Sequence, residues 1–142
     1  MAIYSLANLT TAGTTGAAAL ELRTAASDRA ALMEMAATLN AATASTYSIG
    51  RPAAIGVTPT SPITVLAEDS GSPAGTAQTA LAWGTGPTAP TNFFRRWNLP
   101  ATIGAGFSFV FPRGLIIAVS SSIVLWNSAT NGVVNCHVVV DE

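Results

Sequence analysis

Residues 106–140 read GFSFVFPRGLIIAVSSSIVLWNSATNGVVNCHVVV, and this stretch decides the predicted fold. Phe107, Phe109 and Phe111 alternate with Ser108 and Val110. A period of two places every second side chain on the same face of a β-sheet. We therefore expect a strand here whose phenylalanine side chains face the core.

Two interruptions divide this stretch into apolar runs. Pro112 to Gly114 forms the first break, and Asn131–Gly132 forms the second. Proline fixes φ and lacks a backbone donor, glycine tolerates positive φ, and Asn-Gly is a strong turn signal. The spacing predicts four strands joined by turns, and an antiparallel meander is the simplest arrangement of them.

The region from residue 17 to residue 47 is compatible with two interpretations. Ser27–Asp28 ahead of an alanine-rich run is typical of a helix start. Alternation also occurs around Leu20–Thr24 and around Leu32–Ala37, which predicts two strands joined by a hairpin loop at residues 25–29. We favour the hairpin, because an all-β C-terminal half needs partner strands to bury its apolar face.

Residues 51–92 are rich in proline and glycine, which exclude long regular elements. We expect one strand at 63–67 and a second, at the edge of a sheet, at 76–83. The final valine run predicts a strand that continues to the last residues, where two acids keep a sheet edge soluble. The expected fold is an all-β, antiparallel, jelly-roll-like β-sandwich with long Pro/Gly-rich loops.

The domain organisation follows from length and pattern. At 142 residues the chain is expected to form one domain, the sandwich at residues 16–142, preceded by a strand or arm at residues 1–15. Weak alternation at Ile3, Tyr4 and Leu6 supports a short N-terminal strand. Such a terminus is commonly loose unless it pairs with a sheet edge. Alternatively, it is an arm that docks on a neighbouring subunit.

The composition limits the classes of partner. Charged residues make up 9% of the chain against about 25% in typical proteins, the formal net charge is −1, and all six basic residues are arginine. This balance gives no basic face for nucleic acid. We expect no membrane partner, because the sequence lacks an apolar run of about 20 residues and a signal peptide. A weakly charged surface favours contact with other subunits.

The sequence offers no pattern typical of an enzyme or a metal site. Cys136 and His137 are the only residues of their types, and adjacent strand residues point to opposite faces. We expect Cys136 in the core and His137 outside. Nucleophile-elbow, phosphate-loop and dinucleotide motifs are missing from the sequence. We therefore predict no catalytic residue, no metal and no cofactor.

The densest aromatic and cationic cluster predicts a protein interface. Phe93, Phe94, Arg95, Arg96 and Trp97 are consecutive and lie between two prolines. Arginine and tryptophan are enriched at interface hot spots, because each combines a large contact area with polar donors. Alternatively, Phe94 and Trp97 pack in the fold while both arginines lie on its surface, and stacking on single-stranded bases is a weaker possibility.

Residues 82–142 resemble small structural proteins of tailed bacteriophages. The features that carry the resemblance are the Pro-rich approach to FFRRWN, the FPRGL turn, and the SSSIVLWN strand before a valine-rich last strand. In particular, the chain is similar to the decoration or cement proteins that coat icosahedral heads.

The resemblance implies a non-enzymatic role on the capsid surface of a virion, after synthesis in the host cytoplasm. The implied partners are the major capsid protein and the chain itself, as a trimer more than a dimer. We expect Phe93–Trp97 to make one contact and the N-terminal residues Ile3, Tyr4 and Leu6 another. Two alternatives remain open: a tail, neck or baseplate component, and a jelly-roll carbohydrate-binding module with an exposed aromatic platform.

Overall fold

The computed structural model describes residues 2–10, 15–130 and 132–142. Within these residues the chain is all-β and antiparallel, without a helix, as the sequence predicts. No helix long and apolar enough to cross a membrane is present in the described part. The strands are β1 (Ile3–Leu9), β2 (Ala17–Arg23), β3 (Ala30–Leu39), β4 (Ser45–Gly50), β5 (Val57–Pro59), β6 (Ile63–Thr64), β7 (Leu66–Ala67), β8 (Gln78–Ala80), β9 (Trp83–Thr85), β10 (Phe93–Leu99), β11 (Gly106–Ile117), β12 (Ser122–Asn127) and β13 (Val134–Asp141).

The strands form two large sheets and one small one. Sheet A has the order β11-β3-β13-β1-β7, and sheet B has the order β10-β4-β12-β2-β8-β6. Strands β5 and β9 pair with each other in a two-stranded ribbon. The partners within each sheet are distant in sequence, so the register depends on long-range pairing.

Both large sheets contribute to the main hydrophobic core. Burial alternates along several strands, as in β13, where it follows a period of two up to Val140, whereas β12 is buried along its whole length. Burying these apolar faces stabilises the fold by about 25 cal/mol for every Å² removed from water. The largest fully buried apolar side chains are Tyr47, Leu20, Leu22, Leu32, Met35, Leu39, Ile49, Ile117, Ile123, Leu125 and Val124.

The predicted C-terminal meander is wrong. β11 pairs with β3, β12 pairs with β2 and β4, and β13 pairs with β1 and β3. Successive strands therefore alternate between the two sheets, so each buries its apolar face against the opposite sheet and not beside its neighbour in sequence. Asn131, half of the predicted Asn-Gly turn, lies outside the described residues.

The turn predicted at Pro112–Gly114 is also wrong, because β11 continues through these residues. The register with β3 shifts between Val110 and Leu115, which places the extra residues in a bulge. Gly114 adopts φ of +64°, and an added Cβ would lie 2.7 Å from the Ala31 side chain. The proline and the glycine thus bend one strand instead of separating two.

The prediction of two strands, and not a helix, in residues 17–47 is confirmed by β2 and β3. The predicted hairpin between them is wrong, since β2 belongs to sheet B and β3 to sheet A. Residues 24–29 connect the sheets. The Thr24 amide and hydroxyl both donate to the Ser121 carbonyl, and the Thr24 hydroxyl accepts from the Ser121 amide. Six residues are long enough to cross the roughly 10 Å between packed sheets.

Residues 51–92 contain short strands in place of the two predicted ones. The strand expected at 63–67 divides at Val65, which is 2% exposed, into β6 of sheet B and β7 of sheet A. The strand expected at 76–83 is reduced to β8, which lies between β2 and β6 and so is not at an edge. Trp83 instead begins β9.

The two terminal strands are internal strands of sheet A. β1 occupies the predicted N-terminal strand and pairs with β13 on one side and with β7 on the other. β13 extends to Asp141 as expected, but it lies between β3 and β1 and forms no edge. Residues 11–14 of the predicted arm lie outside the described part of the chain.

Candidate functional site

The edge strands β10 and β11 lie on the same side of the molecule. Each is paired on one side only, β10 with β4 and β11 with β3. Side chains of both strands meet between the sheets, where Trp97 of β10 stacks on Phe107 of β11. We call β10, β11 and the side chains between them the open side.

The opposite side differs because the chain itself joins the two sheets there. β6 is the last strand of sheet B and β7 the last strand of sheet A, and one buried residue, Val65, separates them. We call β6, β7 and the adjoining residues Glu68 and Asp69 the far edge. The fold therefore has one long pair of edge strands and one short, continuous edge.

An aromatic cluster fills the gap between the sheets on the open side. The Trp97 and Phe107 ring centroids are 3.9 Å apart with an angle of 8° between the planes, and Phe109 lies 4.5 Å from Trp97. Stacked and tilted pairs at these separations contribute about 0.5–1.5 kcal/mol beyond area burial. The rings face inward as the alternation predicts, but Phe107 and Phe109 remain half-buried because they lie at the edge; Phe111 is buried.

Arginines surround this aromatic cluster. The Arg95 guanidinium lies 5.6 Å from the Phe109 ring centroid and 5.7 Å from that of Phe111. Arg51, directly after β4, lies 5.1 Å from the Phe94 ring centroid and donates a hydrogen bond of 2.5 Å to the Ile116 carbonyl. Cation–π contacts of this kind contribute about 0.5–1 kcal/mol at exposed sites.

The open side thus carries four of the six arginines of the chain: Arg51, Arg95, Arg96 and Arg113. Arg96 and Arg113 are exposed. Their positive charge is concentrated where both sheets end, although the formal net charge of the chain is −1.

The structure divides the predicted interface residues of β10 into packing and exposed positions. Phe94 and Trp97 pack against the main core, and Phe93 packs against a smaller cluster around Trp126. Arg95 and Arg96 are exposed. The cluster therefore contributes to packing through its rings and to the surface through its arginines.

The predicted N-terminal contact residues are distributed differently. Tyr4 is 4% exposed and donates a hydrogen bond of 3.2 Å to the Pro73 carbonyl, and Leu6 is 8% exposed. Both belong to the core, so in this fold they offer no surface to a partner. Ile3 is 39% exposed and lies on the outer face of sheet A.

The free edge of β11 exposes apolar side chains and unpaired backbone groups. Val110 is 61% and Ile116 is 51% exposed. The Leu39 amide donates to the Ala105 carbonyl. Because hydrogen-bonded pairs alternate along an antiparallel ladder, the backbone groups of Gly106, Ser108 and Val110 point away from β3. An exposed apolar edge of this kind is a template for contact with another chain.

A buried acid that the sequence did not predict stabilises residues 56 and 83. Glu21 is 0% exposed, and its carboxylate accepts hydrogen bonds from the Gly56 amide at 3.0 Å, Ser122 Oγ at 2.7 Å and Trp83 Nε1 at 2.7 Å. Arg23 lies 3.3 Å away and also donates to the Gly56 carbonyl at 2.7 Å. No local pattern predicts this network, since every partner of Glu21 except Arg23 is at least 35 residues away in the chain.

Cys136 and His137 lie on opposite faces, as predicted. Cys136 is 4% exposed, and burial raises the pKa of its thiol to about 12. His137 is exposed, and its Nε2 lies 3.3 Å from the Glu34 carboxylate. Among the described residues, no group of three His, Cys, Asp or Glu side chains is placed to bind a metal ion.

A shallow concavity of about 500 Å³ lies at the end of sheet A near the β11 bulge. Arg29 and Arg113 line it together with Asp141 and Glu142.

Comparison of the chain with protein-family models, with curated proteins and with solved structures finds no match.

Proposed function

We propose that the chain is a non-enzymatic structural protein of a phage virion that decorates the capsid surface and stabilises the head. The observation that carries this proposal is the open side, where exposed arginines flank packed aromatic rings. Arginine and aromatic residues are the types most enriched at protein interfaces. Their placement on two edge strands supports contact with a further protein subunit.

The proposed architecture is a jelly-roll-like sandwich. The strand orders β11-β3-β13-β1 and β10-β4-β12-β2 support it, because consecutive major strands alternate between two four-stranded layers, except for β4 and β10, which pair within sheet B. Jelly rolls of this kind occur in viral capsid and lectin domains. Because one fold serves many functions, the proposed function rests on the exposed residues and not on the fold.

The proposed capsid contact is the outer face of β10 together with the β10–β11 connection. Arg96 and Asn98 are exposed on this strand, and Ile103 in the connection is 68% exposed. Together, an exposed isoleucine and a guanidinium supply apolar area and a donor for carboxylates. The proposed partner is the major capsid protein, with the chain located on the capsid surface.

The proposed mechanism is mechanical. A protein that binds only assembled capsomers adds its binding free energy to the assembled state, which raises the stability of the head. Many identical copies turn modest contacts into a large total, and a first contact raises the effective concentration for the second.

Co-sedimentation with undecorated phage heads tests this proposal. We expect saturable binding of the wild-type chain at a fixed number of copies per capsomer, and at least about tenfold weaker binding for Arg96→Glu combined with Ile103→Ser. Asn135→Ser combined with His137→Ser, on the outer face of β13, is the matched control. Failure of the wild-type chain to bind heads would contradict the decoration role.

A tail, neck or baseplate component is the second candidate, because the same surface would suit those assemblies. Labelling of the chain on whole particles distinguishes tail from head. The carbohydrate-binding alternative has less support, since one face of Trp97 is covered by Phe107 and the Trp83 Nε1 donates to Glu21. A glycan that quenches tryptophan fluorescence would favour that alternative.

A further inference from the structure

We propose that copies of this chain associate head to tail, with the β11 edge of one copy against the far edge of the next. β11 and the β7 part of the far edge belong to the same sheet, since sheet A begins with β11 and ends with β7. The contact would therefore extend sheet A from one copy into its neighbour. This inference concerns the chain alone and does not rest on capsid binding.

The exposed apolar residues of the two edges lie at the same height along the strands. Val110 is paired in register with Glu34, Glu34 with Val139, Val139 with Ser5, and Ser5 with Leu66. This row crosses the whole sheet and ends at an exposed residue on both sides. Val110 is 61% exposed and Leu66 is 65% exposed.

A second row places Ile116 of β11 at the same height as Glu68 of the far edge, and Arg113 lies in the bulge next to this row. Ile116 is paired with Ala31, Ala31 with Asp141, and Asp141 with Ile3, whose carbonyl accepts from the Glu68 amide. Arg113 precedes Ile116 in the β11 bulge, and Glu68 and Asp69 are exposed at the far edge.

If the neighbouring copy is related by rotation about an axis parallel to the strands, residues at the same height on the two edges would meet across the contact. Leu66 of that neighbour would lie against Val110, and Glu68 would lie against the end of β11 that carries Arg113. The apolar row supplies area for burial, and the opposite charges of Arg113 and Glu68 favour this orientation of the contact.

The charges also argue against a two-fold contact between two open sides. A two-fold interface brings each surface patch against its own copy. The arginines Arg51, Arg95 and Arg113 would then face their own equivalents, and such like-charge contacts are unfavourable. A head-to-tail contact instead pairs arginines with acids.

Sedimentation velocity of the purified chain at low ionic strength, where surface charges act most strongly, tests the inference. We expect concentration-dependent association above the 14.4 kDa monomer mass. Val110→Glu with Arg113→Glu alters the β11 edge, and Leu66→Arg with Glu68→Arg alters the far edge. Each pair of substitutions should weaken association at least about tenfold. The four substitutions in one chain should restore it, because the reversed charges again face each other.

The control is Asn135→Arg with His137→Arg, which adds two cations on β13, midway between the edges. This variant should associate like the wild type, and circular dichroism should report the same fold for all variants. A monomeric wild type overturns the inference. Undiminished association of the far-edge variant also overturns the inference, because the contact would then form between two open sides and would not involve the far edge. A monomer that still binds heads would overturn this inference and leave the proposed function standing.

Discussion

At the residue scale, Glu21 connects distant parts of the chain. Its carboxylate binds groups from residues 23, 56, 83 and 122, so it joins β2, β9, β12 and the approach to β5. A fully buried carboxylate is tolerated only when its lone pairs are satisfied, as they are here.

Glu21→Ala should destabilise the fold by about 3 kcal/mol, because several buried donors would lose their acceptor. Urea denaturation measures the change as a lower midpoint. Glu68→Ala is the matched control, since it removes an exposed acid and should leave the midpoint nearly unchanged. Equal midpoints for the two variants would contradict the structural role of the network.

Cys136 makes stability depend on alkaline pH. Its pKa is raised from 9.0 to about 12 by burial, so the unfolded thiol ionises before the folded one. Its contribution to stability is complete below pH 9 and is lost as the pH rises toward 12, by about 1.4 kcal/mol per pH unit. Cys136→Ala removes this dependence. We expect the stability difference between wild type and variant to change above pH 9 and to stay constant below it, as measured by urea denaturation.

At the element scale, β11 shows how a proline and a glycine are accommodated within one long strand. The bulge between Val110 and Leu115 absorbs Pro112 and Gly114 while the strand keeps its pairing with β3 on both sides. A bulge at an edge also increases the local twist of the strand.

Gly114→Ala should destabilise the fold more than Gly104→Ala does. Both glycines have positive φ, at +64° and +83°, so both substitutions carry backbone strain of about 1 kcal/mol. Only at Gly114 would the new methyl group also meet Ala31 and Met33, at 2.7 and 3.1 Å, whereas no described residue has an atom within 4 Å of a Cβ added at Gly104. Thermal unfolding of the two variants measures the difference in stability. Equal losses of stability would mean that the bulge accommodates the methyl group without added strain.

At the scale of the whole molecule, the two sides of the fold are closed in different ways. The far edge is closed by the chain, which passes from sheet B to sheet A at Val65. On the open side, the edge strands β10 and β11 are not paired with each other. Their aromatic rings and arginines cover the core between the two sheets. Exposed side chains of β10 and β11 point to the outer faces of different sheets. The proposed capsid contact and the proposed contact between copies can therefore be disrupted separately.

Strand positions were predictable from the sequence where one strand alternates strictly. The period of two in β13 and in the first half of β11 is local, so it marks strands and core faces without further information. The same rule placed Cys136 inside and His137 outside. The sequence did not predict which strands pair, because an alternating strand buries its face equally well beside any partner.

The sequence by itself determined the all-β class, most of the long strands, and the low charge of the chain. These properties depend on neighbouring residues or on composition alone. Only the tertiary structure decided that β2 and β3 lie in different sheets, that Tyr4 and Leu6 are buried, and that four arginines converge on one side. Each of these results depends on pairing between strands that are distant in the chain. Burial of both sheets against one core selects that pairing, and no local pattern encodes it.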